Sequence, residues 1–268
     1  MANTNNWFTN GKTVLITGAS GGIGKATVIE LARRGASRIC LACRSVDKGE
    51  EAVREIRQNL DGSSDVILEV RQCDLSSLQS IRNFANDFIE NYNELHILIN
   101  NAGIFAPSTK TLSKDGYEIT FATNHLGHFY LTTLLLDLLK KSAPSRIVTV
   151  SSNWPAFWMC KPGFHIDDPN FDKNPKSYSN SKAYNHSKLA NVLFTRELHR
   201  KLQESGNTNV TAFSVHPGTV ASDIARDLNV VVRTIFNFFG ASPQKGCKCS
   251  CYCASQPDIE DKSSSYFM

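Results

Sequence analysis

Short β-branched runs alternate along this chain with longer stretches whose apolar residues recur every three or four positions. Thr13 to Thr17 (TVLIT) predicts a buried strand. Gly22 to Arg34 predicts a helix, with Ile23, Ala26, Thr27, Glu30 and Leu31 at helical spacing. The pattern repeats with strands at Arg38–Ala42, Val66–Cys73, His96–Ile99, Arg146–Val150 and Val210–Val215. Helices are expected over Val46–Leu60, Leu78–Tyr92, Phe121–Lys140 and Tyr184–Gln203. Such alternation predicts an α/β fold, a doubly wound parallel sheet with helices on both faces. Ligands of such sheets sit beyond the carboxyl ends of the strands, so the residues just after each strand are the candidates for chemistry.

After the first strand comes Thr17-Gly18-Ala19-Ser20-Gly21-Gly22-Ile23-Gly24. Glycines allow a tight turn and let a pyrophosphate approach the backbone, and the next helix offers unpaired N–H groups. A plain strand-helix turn would use similar residues, but this loop joins the first strand to the first helix, where a dinucleotide fingerprint belongs. After the second strand the run is Ala42-Cys43-Arg44-Ser45, with no carboxylate to hold ribose hydroxyls. Arg44 can stack on adenine and grip a 2′-phosphate, which favours NADP, with Lys48 as a second cation. A solvated surface arginine is the plainer alternative. Asp74 and Leu75 follow the third strand, and Asn101, Ala102 and Gly103 the fourth. Asp74, Ser76 and Ser77 compete to cap the next helix.

Composition narrows the classes. The 268 residues are 41% hydrophobic and 20% charged, which excludes a disordered chain. Lys plus Arg is 29 against 25 for Asp plus Glu, a net charge of +4 with no basic stripe, so nucleic acid is not an expected partner. The most apolar stretches, Leu131–Leu139 and Val230–Phe239, contain Asp137 and Arg233 and fall short of the roughly 20 residues of a membrane span. Met1 to Asn10 is polar and shows no signal-peptide pattern. The eight cysteines are therefore expected as thiols, and cytoplasm as the address.

Tyr184 and Lys188 are four apart at the start of a predicted helix, which puts both on one face. Tyrosine titrates near pH ~10 in isolation, and a nearby ammonium together with an oxidised nicotinamide would pull it down. Tyr178 and Lys182 have the same spacing. Tyr184 is preferred because an amphipathic run with Leu189, Val192, Leu193 and Arg196 follows it, whereas the Tyr178 segment is rich in Ser and Asn. Ser151 and Ser152 compete in the same way, since neighbours on a strand face opposite sides.

Taken together, TGASGGIG, CDL, NNAG, Asn124, VSS and YNHSK resemble the short-chain dehydrogenase/reductases with a Y-x-x-x-K motif. FATNHLGHFYLT, YNHSKLANVLFTREL and SVHPGTV resemble the retinol-dehydrogenase-like branch. The likeness runs over about residues 10 to 255. It implies a single Rossmann-type domain that exchanges a hydride between NADP(H) and a small apolar carbonyl or alcohol. It implies that Tyr184 gives or takes the proton at the substrate oxygen and that Ser152 donates a hydrogen bond to that oxygen. Lys188 would lower the Tyr184 pKa and bind the nicotinamide ribose, and Asn124 would order a water and a proton path. Around the cofactor it implies Gly18, Ser20, Gly22, Ile23, Gly24, Arg44, Asp74, Leu75, Asn101, Ala102 and Gly103. Pro217, Gly218, Thr219 and Val220 would lie at the carboxamide. A homodimer is an open expectation, and a cofactor-binding scaffold without turnover is the alternative reading.

About 30 residues separate Ser152 from Tyr184, long for a plain connection. Trp154, Phe157, Trp158, Met159 and Phe164 there suggest a substrate flap over about 153–180, or simple packing. Residues 221–255, with Phe236, Phe238 and Phe239, are expected to form a further pocket wall. Cys247, Cys249, Cys251 and Cys253 alternate; packing on a helix is favoured over lipidation or a metal-thiolate cluster. Cys40, Cys43, Cys73 and Cys160 read as strand or insert packing. A last strand near Tyr266 and Phe267 is expected to be short. Many members of the branch carry an N-terminal membrane anchor. Met1 to Asn10 shows none, which puts a microsomal address in doubt and leaves membrane association as the alternative to the cytoplasmic expectation.

Overall fold

The computed structural model describes residues 7–62, 64–105, 109–153, 167–220 and 240–268. Trp154, Phe157, Trp158, Met159, Cys160 and Phe164, and the wall residues Phe236, Phe238 and Phe239, lie outside them.

Seven strands form one parallel sheet: β1 (Thr13–Thr17), β2 (Arg38–Cys43), β3 (Ile67–Gln72), β4 (Ile97–Asn100), β5 (Ser145–Val150), β6 (Val210–Val215) and β7 (Tyr266–Phe267). Their order is β3-β2-β1-β4-β5-β6-β7, so the chain reverses direction across the sheet between β1 and β4. This Rossmann-type arrangement opens a crevice at that switch point. The register is regular, with Leu15 opposite Cys40 on one side and Leu98 on the other.

The strands alternate between two cores. Val14, Ile16, Ile39, Leu41 and Ile97 bury against α1 (Gly22–Arg33) and α2 (Val46–Leu60). Leu15, Leu98 and Ile147 bury on the other face with Phe84 and Phe88 of α3 (Leu78–Asn91). Each such side chain contributes about 1.5–3 kcal/mol relative to exposure. Ser45 caps α2 by accepting from Lys48 N at 3.4 Å, and Ser77 caps α3 by accepting from Ser80 N at 3.3 Å.

The helix expected over Phe121–Lys140 is broken into α4 (Ile119–Phe121), a π turn (Ala122–Leu126) and α5 (Gly127–Lys141). Gly127 sits at the join because a Cβ there would lie 2.4 Å from the Leu75 carbonyl. The helix expected from Tyr184 begins earlier, as α6 (Asn180–Glu204), because Ser179 caps it by accepting from Lys182 N at 3.3 Å. Polar Ser and Asn were misleading there: they favour the first turn of a helix as well as a loop.

The cysteine run lies on α7 (Pro243–Gly246) and α8 (Lys248–Ser255), with Cys247 between them. Cys247, Cys251 and Cys253 are buried in the first core and Cys249 packs against it. No group of three metal-ligating side chains occurs among the described residues. Strand β7 is short but paired, Ser214 opposite Tyr266 and Val215 opposite Phe267. Arg146 fastens this end: its buried guanidinium donates to Gln256 O at 2.6 Å and pairs with Glu260 at 2.6 Å. No helix among the described residues is long and apolar enough to cross a membrane.

Candidate active site

A cleft of about 370 Å³ opens at the carboxyl ends of β1, β2, β4, β5 and β6. At one end the glycine loop turns from β1 into α1. Gly18 has φ +67°, and a Cβ on it would lie 2.8 Å from Ala102 Cα, so only glycine fits. No side chain caps the N-terminus of α1, which leaves its first N–H groups available to an anion. The residues present thus suit a pyrophosphate.

Asn101 holds the loop in place by donating to Thr17 O at 2.8 Å and Gly18 O at 3.3 Å. Thr17, which the sequence reading did not single out, joins three elements. Its Oγ1 accepts from Asn101 N at 2.9 Å and Ala102 N at 3.0 Å, and meets His128 Nε2 at 2.8 Å. His128 Nδ1 lies 3.0 Å from the Asn124 carbonyl, which can only accept. Nδ1 therefore carries the proton, Nε2 is bare, and Thr17 donates to it. Burial pushes His128 down to about 3, so it stays neutral. A buried histidine in the middle of an apolar helix was the available signal.

Arg44 is exposed on the cleft edge at the end of β2 and makes no ion pair among the described residues. Lys48 does not line the cleft. Asp74 turns back locally, its Oδ1 accepting from Ser76 N at 3.0 Å and Ser76 Oγ at 2.7 Å; Ser77 is the cap. Ser20, Gly22, Ile23, Gly24, Leu75, Ala102, Gly103, Pro217, Gly218, Thr219 and Val220 all border the same space.

At the other end Tyr184, Ser152 and Lys188 meet. The Ser152 and Tyr184 hydroxyls are hydrogen-bonded. Lys188 Nζ lies 5.7 Å from the Tyr184 ring centroid and donates to Val150 O at 3.1 Å. Ser151 is turned away, its Oγ donating to the Lys188 carbonyl at 2.6 Å. Phe105, also missed by the sequence reading, covers Tyr184 with ring centroids 5.1 Å apart. Asn124 is not on the cleft wall. Its Oδ1 accepts from Ile104 N at 2.8 Å, and its Nδ2 donates to Ile104 O and Ser187 Oγ, both at 3.0 Å.

Burial pushes Tyr184 up to about 12, and Ser152 only partly offsets this. Lys188 is pushed down to about 8 by the same burial. Desolvation penalises both charged forms, and the amine is turned to a carbonyl rather than to the phenol. In this state Tyr184 is a protonated phenol, a proton donor.

The family model for short chain dehydrogenases matches residues 12–156. The chain belongs to the short-chain dehydrogenase family. Within this oxidoreductase family it is retinol-dehydrogenase-like: mouse retinol dehydrogenase 11 is 48% identical over 98% of this chain and 79% of its own length. Among solved structures, a 7α-hydroxysteroid dehydrogenase complexed with NADH and a 7-oxo bile acid superposes with TM-score 0.74 at 23% identity, covering 100% of this chain and 96% of that one. A Shigella flexneri short chain dehydrogenase complexed with NADP gives 0.71 at 21% identity, with 96% of both chains covered. At these identities the two structures speak for the fold alone. This short-chain dehydrogenase places its second Y-x-x-x-K pair, Tyr184 and Lys188, on the cleft, and leaves Tyr178 and Lys182 off it.

Proposed function

We propose that this protein is an NADP(H)-dependent oxidoreductase that reduces apolar aldehydes or ketones, retinal-like compounds among them, or oxidises the matching alcohols. The observation that carries the reading is the Ser152–Tyr184 hydrogen bond in the same cleft as the glycine loop. The nicotinamide, when bound, supplies or takes the hydride. Ser152 and Tyr184 converge on one point where a substrate oxygen can sit. Tyr184, held protonated by burial, delivers its proton to that oxygen as negative charge develops there. Lys188 carries the positive charge that favours the tyrosinate left behind.

Arg44 supports NADP over NAD, since no carboxylate stands where ribose hydroxyls would be bound. The retinol dehydrogenases among the relatives support an apolar substrate. One catalytic unit, with a flap over about 153–180 and a wall over 221–255, belongs to the same proposal.

The test is cofactor oxidation by purified protein with a panel of carbonyls that includes retinal, using NADPH and NADH in parallel. Turnover of bulky apolar carbonyls with NADPH is expected. Tight NADPH binding without turnover on any carbonyl would make the protein a scaffold instead, and a preference for NADH would remove the role of Arg44.

A further inference from the structure

His128 stands in the first turn of α5, and its side chain is buried. Leu131 and Leu135 of the same helix join the second apolar core. His128 does not: both ring nitrogens are in hydrogen bonds, Nε2 with Thr17 Oγ1 at 2.8 Å and Nδ1 with Asn124 O at 3.0 Å. One turn later Thr132 Oγ1 accepts from Asn100 Nδ2 at 3.0 Å. Helix α5 thus turns a polar edge to the last residues of β1 and β4, Thr17 and Asn100. The glycine loop and the Asn101–Gly103 segment begin at those two points.

Thr17 has one hydroxyl proton and two lone pairs. Asn101 N at 2.9 Å and Ala102 N at 3.0 Å can only donate, so they take both lone pairs. The proton is left with Ile99 O at 3.4 Å or His128 Nε2 at 2.8 Å. Distance gives it to the imidazole, whose Nε2 is bare because Nδ1 donates to the Asn124 carbonyl. Burial holds the ring neutral, as an acceptor must be. The histidine therefore fixes the direction in which the Thr17 lone pairs point.

What those lone pairs hold belongs to the cleft. Ala102 and Gly103 border it, and a Cβ on Gly18 would lie 2.8 Å from Ala102 Cα. The Asn101 side chain donates in turn to Thr17 O and Gly18 O. Two stretches of backbone in the cleft wall meet in direct contact, and Thr17 Oγ1 is the joint between them.

We propose that His128 is a positioning residue for the cofactor. By taking the Thr17 hydroxyl proton it turns that oxygen toward Asn101 N and Ala102 N, and it holds residues 101–103 at their spacing from the glycine loop. The role belongs to Nε2 and Thr17, not to the Asn124 carbonyl on the other nitrogen. It rests on the reading of this cleft as the site of a nicotinamide dinucleotide.

Two amide side chains separate the two ring nitrogens. Glutamine sets an oxygen near the position of Nε2 and can accept from Thr17, whereas asparagine reaches only to the position of Nδ1 and can donate to Asn124 O. The experiment titrates NADPH and NADH, followed by fluorescence, into the parent, His128→Gln, His128→Asn, His128→Leu and Thr17→Val, with kcat and carbonyl KM measured at saturating cofactor. His128→Leu, His128→Asn and Thr17→Val should each weaken both cofactors about tenfold, with kcat and carbonyl KM within about twofold. His128→Gln should bind both cofactors within about twofold of the parent. The glutamine and asparagine variants carry the test if His128→Leu fails to fold. Equal affinities in those two overturn the proposal, as do parental affinity in Thr17→Val, a loss confined to NADPH, or a fall in kcat with affinity unchanged. If the parent binds neither cofactor, the reading of the cleft has failed and this inference with it. If the parent binds and every variant keeps its affinity, only this inference has failed.

Discussion

Two segments of this chain carry the same Tyr-x-x-x-Lys spacing six residues apart, and the fold treats them in opposite ways. Tyr178 sits after the 3₁₀ turn Pro175–Ser177 and before the Ser179 cap, so it is not on the helix that carries Lys182. Its ring meets Phe171 edge-on at 5.3 Å, and its hydroxyl bonds to the buried Glu118. Lys182 Nζ donates to Ser177 O at 3.0 Å on the surface. Tyr184 and Lys188 are both inside α6, and their helix lies against the end of β5. A four-residue spacing aligns two side chains only when both belong to one helix. It becomes a reactive pair only when that helix is docked on a strand end that opens into a cleft.

Exchange of the two tyrosines is the harshest way to break this comparison. Tyr184→Phe should lower kcat/KM about 10³-fold by removing the proton donor, while Tyr178→Phe stays within about threefold. Steady-state kinetics giving the reverse order would sink the assignment. The lysines should repeat the contrast more mildly: Lys188→Met is expected to cost about 10²-fold in kcat/KM, Lys182→Met almost nothing.

The adenosine end should respond separately from the chemical end. Arg44→Ala should weaken NADPH about tenfold in a binding titration, leave NADH unchanged and spare kcat. Equal weakening of both cofactors would make Arg44 an ordinary surface charge.

Proton linkage sharpens the contrast without touching catalysis. Lys188 falls from 10.5 to about 8 in the fold, so the unfolded chain binds more protons between those values and stability rises with pH there. Tyr184 rises from 10.0 to about 12, so its contribution is present below pH 10 and is lost as pH climbs toward 12. Denaturant titrations of Lys188→Met should lack the gain above pH 8 that the parent and Lys182→Met retain. The smallest expected change is in stability: Tyr178→Phe should cost about 1 kcal/mol, the loss of one hydrogen bond to a buried carboxyl.

Much of the site was legible because its signals are local. The glycine loop, the absence of a carboxylate after β2 and the Ala102–Gly103 approach depend on residues a few positions apart. The strands were legible for the same reason, since Thr13–Thr17 and Val210–Val215 are short, mainly apolar and β-branched runs buried on both faces. The start of α6 and the break before α5 were not. Ser179 reads equally as loop or cap, and the π turn ends where Gly127 lies against Leu75, a contact between residues far apart in the chain. Thr17 and His128 were missed because their meaning lies in each other, 111 residues apart.

The sequence by itself determined the alternation of strands and helices, the place of the phosphate loop and the short set of residues able to do chemistry. Those follow from periodicity, backbone freedom and side-chain type, which act over one or two turns. Only the tertiary structure decided which tyrosine faces the cleft and how deeply it is buried there. Desolvation and hydrogen-bond valence depend on what surrounds a group. Here the surroundings come from distant segments: the amine of Lys188 on a carbonyl 38 residues away, and the hydroxyl of Thr17 on an imidazole 111 away.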